Sequence, residues 1–458
     1  MPLRNTVISE GPVRGIPCGN PMYTVFKGIP YAAATEGKNR FSAPKPPVSW
    51  KEERLCDKFS DVCLQPSPVA GLPFGDFFLK EFYPYQYPGS ENSLCLNVWT
   101  PAQKKDEKLP VMVWIHGGGF GSGYGHEMEF DGEALCKAGV VLVTINYRLN
   151  YFGFFAHPEL SAENENHVSG NYGFLDQAYA LKWVQKNIAA FGGDPENVTI
   201  FGQSAGGGSV ICHLASDVSD GLFKRAIIQS GSFVATTQVL GATLTDGEAW
   251  GVKACETMGR TLTELRAMDA HELMKAFEDT ERKIGPMPKV LTDGSVFKHS
   301  LGESLQKKEW KNVSVMVGSV SGDRDLMMGD MKNCPMLEGV DPKDACTAGD
   351  ALIAESQLGE GKVPAHVYYF TPYIPGHDIY NFVEDGLAYH SAELWYEFGT
   401  LGRCWRDFGG AHYDLSSRMI RYWTNFAKTG DPNGPGLPAW PAYTADNKFR
   451  MTLCDKSS

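Results

Sequence analysis

The chain has 458 residues, 43% of them hydrophobic and 21% charged, the profile of a globular protein with a large core. Lys and Arg number 42 against 54 Asp and Glu, a formal net charge of −12, which argues against nucleic acid or an anionic membrane surface as a partner. No apolar run of about 18 residues is present, so no membrane-spanning helix is expected.

No linker, charge block or repeat divides the sequence, so one domain over 1–458 is expected. Polar sequence follows Met1-Pro2-Leu3-Arg4-Asn5, and no signal peptide is expected. The 11 cysteines are scattered and odd in number, which points to a reducing cytoplasm. They form no C-x-x-C or His/Cys cluster that would hold a metal. Short strands are expected at Thr6–Ile8, Tyr23–Phe26 and Leu94–Trp99, separated by loops rich in Pro, Gly and aromatics. Pro73–Pro88 carries Phe74, Phe77, Phe78, Phe82, Tyr83, Tyr85 and Tyr87. Two readings fit it: a loop pinned to the surface by its own rings, or an aromatic wall of a substrate gorge.

From Leu109 the pattern changes. Apolar strands at Val111–Ile115, Val140–Asn146, Val198–Phe201, Arg225–Gln229, Val313–Val317 and Val367–Phe370 are separated by stretches such as Leu175–Asn187, apolar at helical spacing. This predicts an α/β protein with a mostly parallel sheet and helices on both faces. Ligands of such sheets bind beyond the carboxyl ends of the strands.

Two strand ends carry chemistry. His116-Gly117-Gly118-Gly119-Phe120 follows Val111–Ile115, and its glycines let backbone N–H groups face a site with no side chain in the way. Such donors stabilise the oxyanion of acyl transfer, each by about 3–4 kcal/mol on deletion. A phosphate cradle would need a downstream G-K-[ST], which is missing. Gly202-Gln203-Ser204-Ala205-Gly206 follows Val198–Phe201 and reads as a nucleophile elbow, with Ser204 at the tip of a strand-to-helix turn. Ser204 then needs a carboxylate followed by a histidine. Asp323 and Asp325 follow the strand Val313–Val317, and His366, His377, His390 and His412 come later. Spacing alone leaves these choices open.

The chain resembles the type-B carboxylesterase/cholinesterase family of α/β-hydrolases over nearly its whole length. The resemblance rests on Phe26-Lys27-Gly28-Ile29-Pro30-Tyr31-Ala32, Glu91–Val98, His116–Phe120, Asn146-Tyr147-Arg148, Gly170–Gly173 with Asp176-Gln177, Phe191–Pro195, Gly202–Gly207 and Gln229-Ser230-Gly231. It implies an α/β-hydrolase fold with small N-terminal antiparallel strands and insertions around 63–95 and 234–310. It implies Ser204 as nucleophile and the N–H groups of Gly118, Gly119 and Ala205 as oxyanion donors. It implies His390 as base, since His390-Ser391-Ala392-Glu393-Leu394 fits an H-x-x-E-L motif, with His377 as runner-up. Counting five residues from Gly318 gives Asp323 as the acid, where most relatives carry glutamate, and Asp325 is the alternative. Ser230 is implied as a partner of the acid, and Arg40–Glu91 and Arg148–Asp176 as buried ion pairs.

The implied activity is hydrolysis of a small-molecule carboxylic ester through an acyl-enzyme, with no metal or cofactor. An aryl- or hydroxycinnamoyl-ester hydrolase and a non-catalytic binding member are the alternatives. The departures are specific. The cysteine that pairs with the Cys63 position in animal members is Ser93 here, so that disulfide is not expected, as in a bacterial-type esterase. No tryptophan lies between Cys63 and Val98, which removes the choline-stacking ring. The stretch from Ser230 to Asp323 is short for the family, implying a trimmed lid and acyl pocket.

Overall fold

The apolar runs become the strands of one ten-stranded sheet. The computed structural model describes residues 2–83, 85, 87–232, 241–323, 337–341, 344–376 and 387–455. In chain order the strands are β1 (Ile16–Pro17), β2 (Thr24–Pro30), β3 (Cys95–Thr100), β4 (Leu109–Ile115), β5 (Val141–Ile145), β6 (Gly193–Gln203), β7 (Arg225–Gln229), β8 (Ser314–Val320), β9 (His366–Phe370) and β10 (Met451–Leu453). Across the sheet they run β10-β9-β8-β7-β6-β4-β5-β3-β2-β1. The run from β10 to β5 is parallel, and β3, β2 and β1 complete the other edge antiparallel. A second small sheet joins Asn5–Ile8, Gly11–Arg14 and Arg54–Leu55.

Strand alternation sorts the core into two layers. On β4, Val111, Val113 and Ile115 face one apolar layer with Val198 and Ile200 of β6. Met112 and Trp114 face the other, with Phe201 and Ile227. With the helix Pro73–Glu81 as α1, the first layer is covered by helices α2 (Tyr172–Asn187) and α3 (Ala205–Ala215), through side chains such as Leu181, Val184, Val210 and Leu214. The second is covered largely by the helix Gly410–Thr429, whose Leu415, Met419, Tyr422, Trp423 and Phe426 form one stripe at helical spacing. Both faces are therefore dry, as a parallel sheet requires.

Residues 241–310 are largely helical. The helices Leu244–Met258 and Leu262–Ala267 open on reciprocal caps, Thr243 with Asp246 and Thr261 with Glu264. Pro73–Glu81 is also a helix, not a loop. Phe77 meets Tyr389 edge-on at 5.4 Å, and Phe82 stacks on Trp395 at 6.3 Å. The segment is pinned by its rings, but as a helix and against the chain around residue 390.

Both implied ion pairs form. Arg148 donates to Asp176 from Nε at 2.7 Å and from Nη2 at 2.6 Å, and both side chains are buried. Arg40 Nε donates to Glu91 at 2.8 Å, and its Nη1 reaches the carbonyls of Leu265 and Met268, tying the helical insertion to the N-terminal third. Cys63 is a free, buried thiol whose sulfur accepts from the Leu149 amide at 3.3 Å. No helix among the described residues is long and apolar enough to cross a membrane.

Candidate active site

Strand β6 ends at Gln203 and α3 begins at Ala205, so the turn falls on Ser204 alone. Ser204 takes φ 57° and ψ −124°, a conformation that non-glycine residues avoid and that needs strong outside support. The support is visible. The Ser204 amide donates to the Gln229 carbonyl at 2.8 Å, pinning the tip to the end of β7. A side chain at Gly206 would run into the Ile115 carbonyl, so only glycine lets the turn pack this closely on β4. Ala205 is the first residue of α3, which places its free N–H at the helix start beside Ser204.

The glycine loop after β4 lies against this tip. A Cβ built on Gly117 would stand 3.1 Å from Ser204 Cβ and 2.8 Å from the Gln203 carbonyl. Gly118 takes φ 101°, and its carbonyl accepts from the amides of Gly121 and Ser122, both at 3.0 Å. That turns the carbonyl back into the loop. Below the loop His116 is buried and stacked on Tyr147, and burial lowers its pKa to about 4, so it stays neutral.

The structure brings His390 and Asp323 together. His390 Nδ1 lies 2.6 Å from Asp323 Oδ1, while Asp323 Oδ2 accepts from the Val320 amide at 3.0 Å. Asp323 is buried and His390 is largely so. Their loops are stitched together: the Gly322 amide donates to Ala388 O at 2.7 Å, and the Ala388 amide donates to Ser321 Oγ at 2.9 Å. These two bonds bring the backbones close enough for aspartate to reach the ring. On the other ring edge, His390 Nε2 lies 3.2 Å from Gln203 Nε2, one residue from Ser204. With the proton on Nδ1, the Nε2 lone pair faces the elbow and accepts from Gln203. Ser391, at φ 79°, donates to Gln203 Oε1 at 2.9 Å and holds that amide in place.

The other sequence candidates are placed elsewhere or not described. His366 sits in β9 between the rings of Phe426 and Trp440, and burial lowers its pKa to about 4. His412 lies in the helix Gly410–Thr429, 2.9 Å from the Tyr396 hydroxyl. Asp325 and His377 lie outside the described residues. Ser230 is buried at φ 45°, its amide on the Gly318 carbonyl at 2.7 Å. Its hydroxyl is beside Glu393, and Glu393 in turn feels the charge of Asp323. Burial pushes the Glu393 carboxyl up to about 8, with the Asp323 charge second among the causes.

Sequence reading passed over Gln203, Ser391, Glu81 and Lys289. Gln203 carried a signal, since it adjoins Ser204. Glu81 carried none: its partners Tyr389, Trp405 and Arg406 are more than 300 residues away.

A doubly covered, mostly parallel sheet with a strained serine between strand and helix, facing a glycine loop, defines an α/β-hydrolase. The model of the carboxylesterase family matches residues 4–344 and 343–458. The chain is 31% identical to the para-nitrobenzyl esterase of Bacillus subtilis, over 93% of this chain and 90% of that protein. It is 32% identical to a fumonisin B1 esterase of Sphingopyxis macrogoltabida, over 91% and 81% respectively. A crystal structure of a Geobacillus stearothermophilus carboxylesterase superposes with a TM-score of 0.80 at 31% identity, covering 99% of this chain and 96% of that one. The chain belongs to the carboxylesterase family and is a carboxylic ester hydrolase.

Proposed function

We propose that Ser204, His390 and Asp323 form the catalytic triad, with the N–H groups of Gly118, Gly119 and Ala205 as the oxyanion hole. The 2.6 Å contact between His390 Nδ1 and Asp323 carries this reading, because it fixes the tautomer that leaves Nε2 unprotonated at the elbow, where substrate attack requires it to exchange the Gln203 donor for the Ser204 proton. His390 removes the Ser204 proton as the hydroxyl attacks the ester carbonyl. Asp323 stabilises the imidazolium, and the three N–H groups hold the tetrahedral oxygen. His390 then protonates the leaving alcohol, and water repeats the sequence on the acyl-enzyme. Ser230 acts through Glu393 as a positioning residue behind Asp323.

The substrate is a small-molecule ester. The chain is read as one domain over 1–458, supported by a single sheet that takes strands from Ile16 to Leu453. A reducing cytoplasm of a bacterial-type esterase is supported by the ten described cysteines, all free. The test is hydrolysis of p-nitrophenyl acetate, butyrate and octanoate, with a phenolic-ester panel, by the wild type and Ser204→Ala. Turnover should fall by at least about 10⁴ in the variant. Equal turnover in both proteins would remove Ser204 from the mechanism.

A further inference from the structure

Lys289 stands on the rim of the glycine loop. Its ammonium donates to the Gly119 carbonyl at 3.1 Å, on the loop whose N–H groups are assigned to the oxyanion. From there it opens into a cavity of about 730 Å³. The cavity walls are mainly apolar, with Val69, Met274, Pro286 and Met287 among them. Burial lowers the Lys289 pKa, and Glu281 opposes that shift.

The carboxylates of this cavity already have partners. Glu281 accepts from the Tyr151 hydroxyl and, at 2.9 Å, from the Met287 amide. Glu278 faces Arg282 at 3.9 Å, and Arg282 also holds Asp279 at 2.6 Å. Among the described residues no carboxylate pairs with Lys289, and its one hydrogen bond goes to Gly119. An ammonium offers three donors. A half-buried cation of this kind is stabilised more by an anion than by a methylene group.

We infer that Lys289 recognises a carboxylate carried by the ester a few bonds from its scissile carbonyl, so that hemiesters and other carboxylate-bearing esters are the favoured substrates. This rests on the reading of the site as an esterase with its oxyanion hole at Gly118 and Gly119. A neutral chain in the same cavity leaves the ammonium unmatched, and a site built for a polar partner discriminates against analogues that lack it.

Two matched pairs test this. On the acyl side, 4-nitrophenyl hemiglutarate is compared with 4-nitrophenyl pentanoate. On the alcohol side, 4-acetoxybenzoate is compared with its methyl ester. In at least one pair the charged member should exceed the neutral one in kcat/KM by about tenfold or more at low salt. That ratio should fall by about tenfold or more in Lys289→Met and largely survive in Lys289→Arg. A residue that merely supports the loop would slow both members alike. A ratio unchanged by Lys289→Met in both pairs, or a wild-type preference for the neutral members, overturns the inference. A second measurement needs no turnover: calorimetric binding of glutarate to Ser204→Ala, abolished by adding Lys289→Met. Glutarate binding without hydrolysis of any ester would overturn the triad while supporting Lys289. Hydrolysis with no glutarate binding and no charged-ester preference would do the reverse.

Discussion

In the proposed triad one proton decides whether Ser204 can be activated, and Asp323 decides where that proton sits. In Asp323→Asn the amide can donate to Nδ1, which moves the ring proton to Nε2 and removes the acceptor at the elbow. We expect kcat to fall by about 10⁴ with little change in KM. Asp323→Glu keeps the charge and should lose less, although the extra methylene must fit a buried slot stitched shut by Gly322 and Ser321. Glu393 gives a separate pH prediction. Its carboxyl is held up to about 8 by burial, against an ordinary value of 4.5. Below the ordinary value both folded and unfolded chains are protonated and nothing is lost. As pH rises from there toward about 8, the unfolded chain releases a proton that the folded chain keeps, so stability declines, by at most about 1.4 kcal/mol per pH unit. Glu393→Gln should flatten this decline in urea unfolding, and an identical slope would show that Glu393 does not titrate in this range.

At the scale of elements, the helix Pro73–Glu81 acts as a buttress for the histidine loop. Glu81 ends it and accepts from the Tyr389 hydroxyl, from Trp405 Nε1 at 2.6 Å and from Arg406 Nε at 3.0 Å. Tyr389 adjoins His390. Glu81→Ala removes a buried carboxylate that accepts from Tyr389, Trp405 and Arg406, and should cost about 3–5 kcal/mol of stability. Glu81→Gln, which keeps an acceptor for the Tyr389, Trp405 and Arg406 donors, should lose less than Glu81→Ala in thermal unfolding, and equal losses would show that these hydrogen bonds do not hold the helix in place. None of this was legible in the sequence, because the aromatic run masks a short helix and Glu81 meets its partners only through the fold. The insertion helices are different. Thr243 with Asp246 and Thr261 with Glu264 spell reciprocal caps in the sequence itself, and they went unread.

At the scale of the molecule, the sheet was legible because its interior strands are continuous β-branched and apolar runs. The structure moves their ends by a few residues, as at Val313–Val317, which becomes Ser314–Val320. The three-residue edge strand Met451–Leu453 is too short to announce itself, and the helix Gly410–Thr429 was passed over despite its clear stripe. The elbow and glycine loop were legible because their geometry is local. The choice of Asp323 and His390 needed the family pattern, since the two meet across 67 residues. With every described cysteine free, an excess of dithiothreitol should leave Tm unchanged, and a fall would reveal a cross-link.

The Ser204 amide bonds to Gln229 at the end of β7, and the Ser230 amide bonds to Gly318 inside β8. The Ser204 tip is thus the last rung of a ladder rather than a loop laid over it. Its amide proton should exchange with solvent only when the whole sheet opens, at the slow rate of Ile200 or Ile227. Heat should then remove activity and structure at one temperature, with no window in which a folded molecule has lost the Ser204 turn.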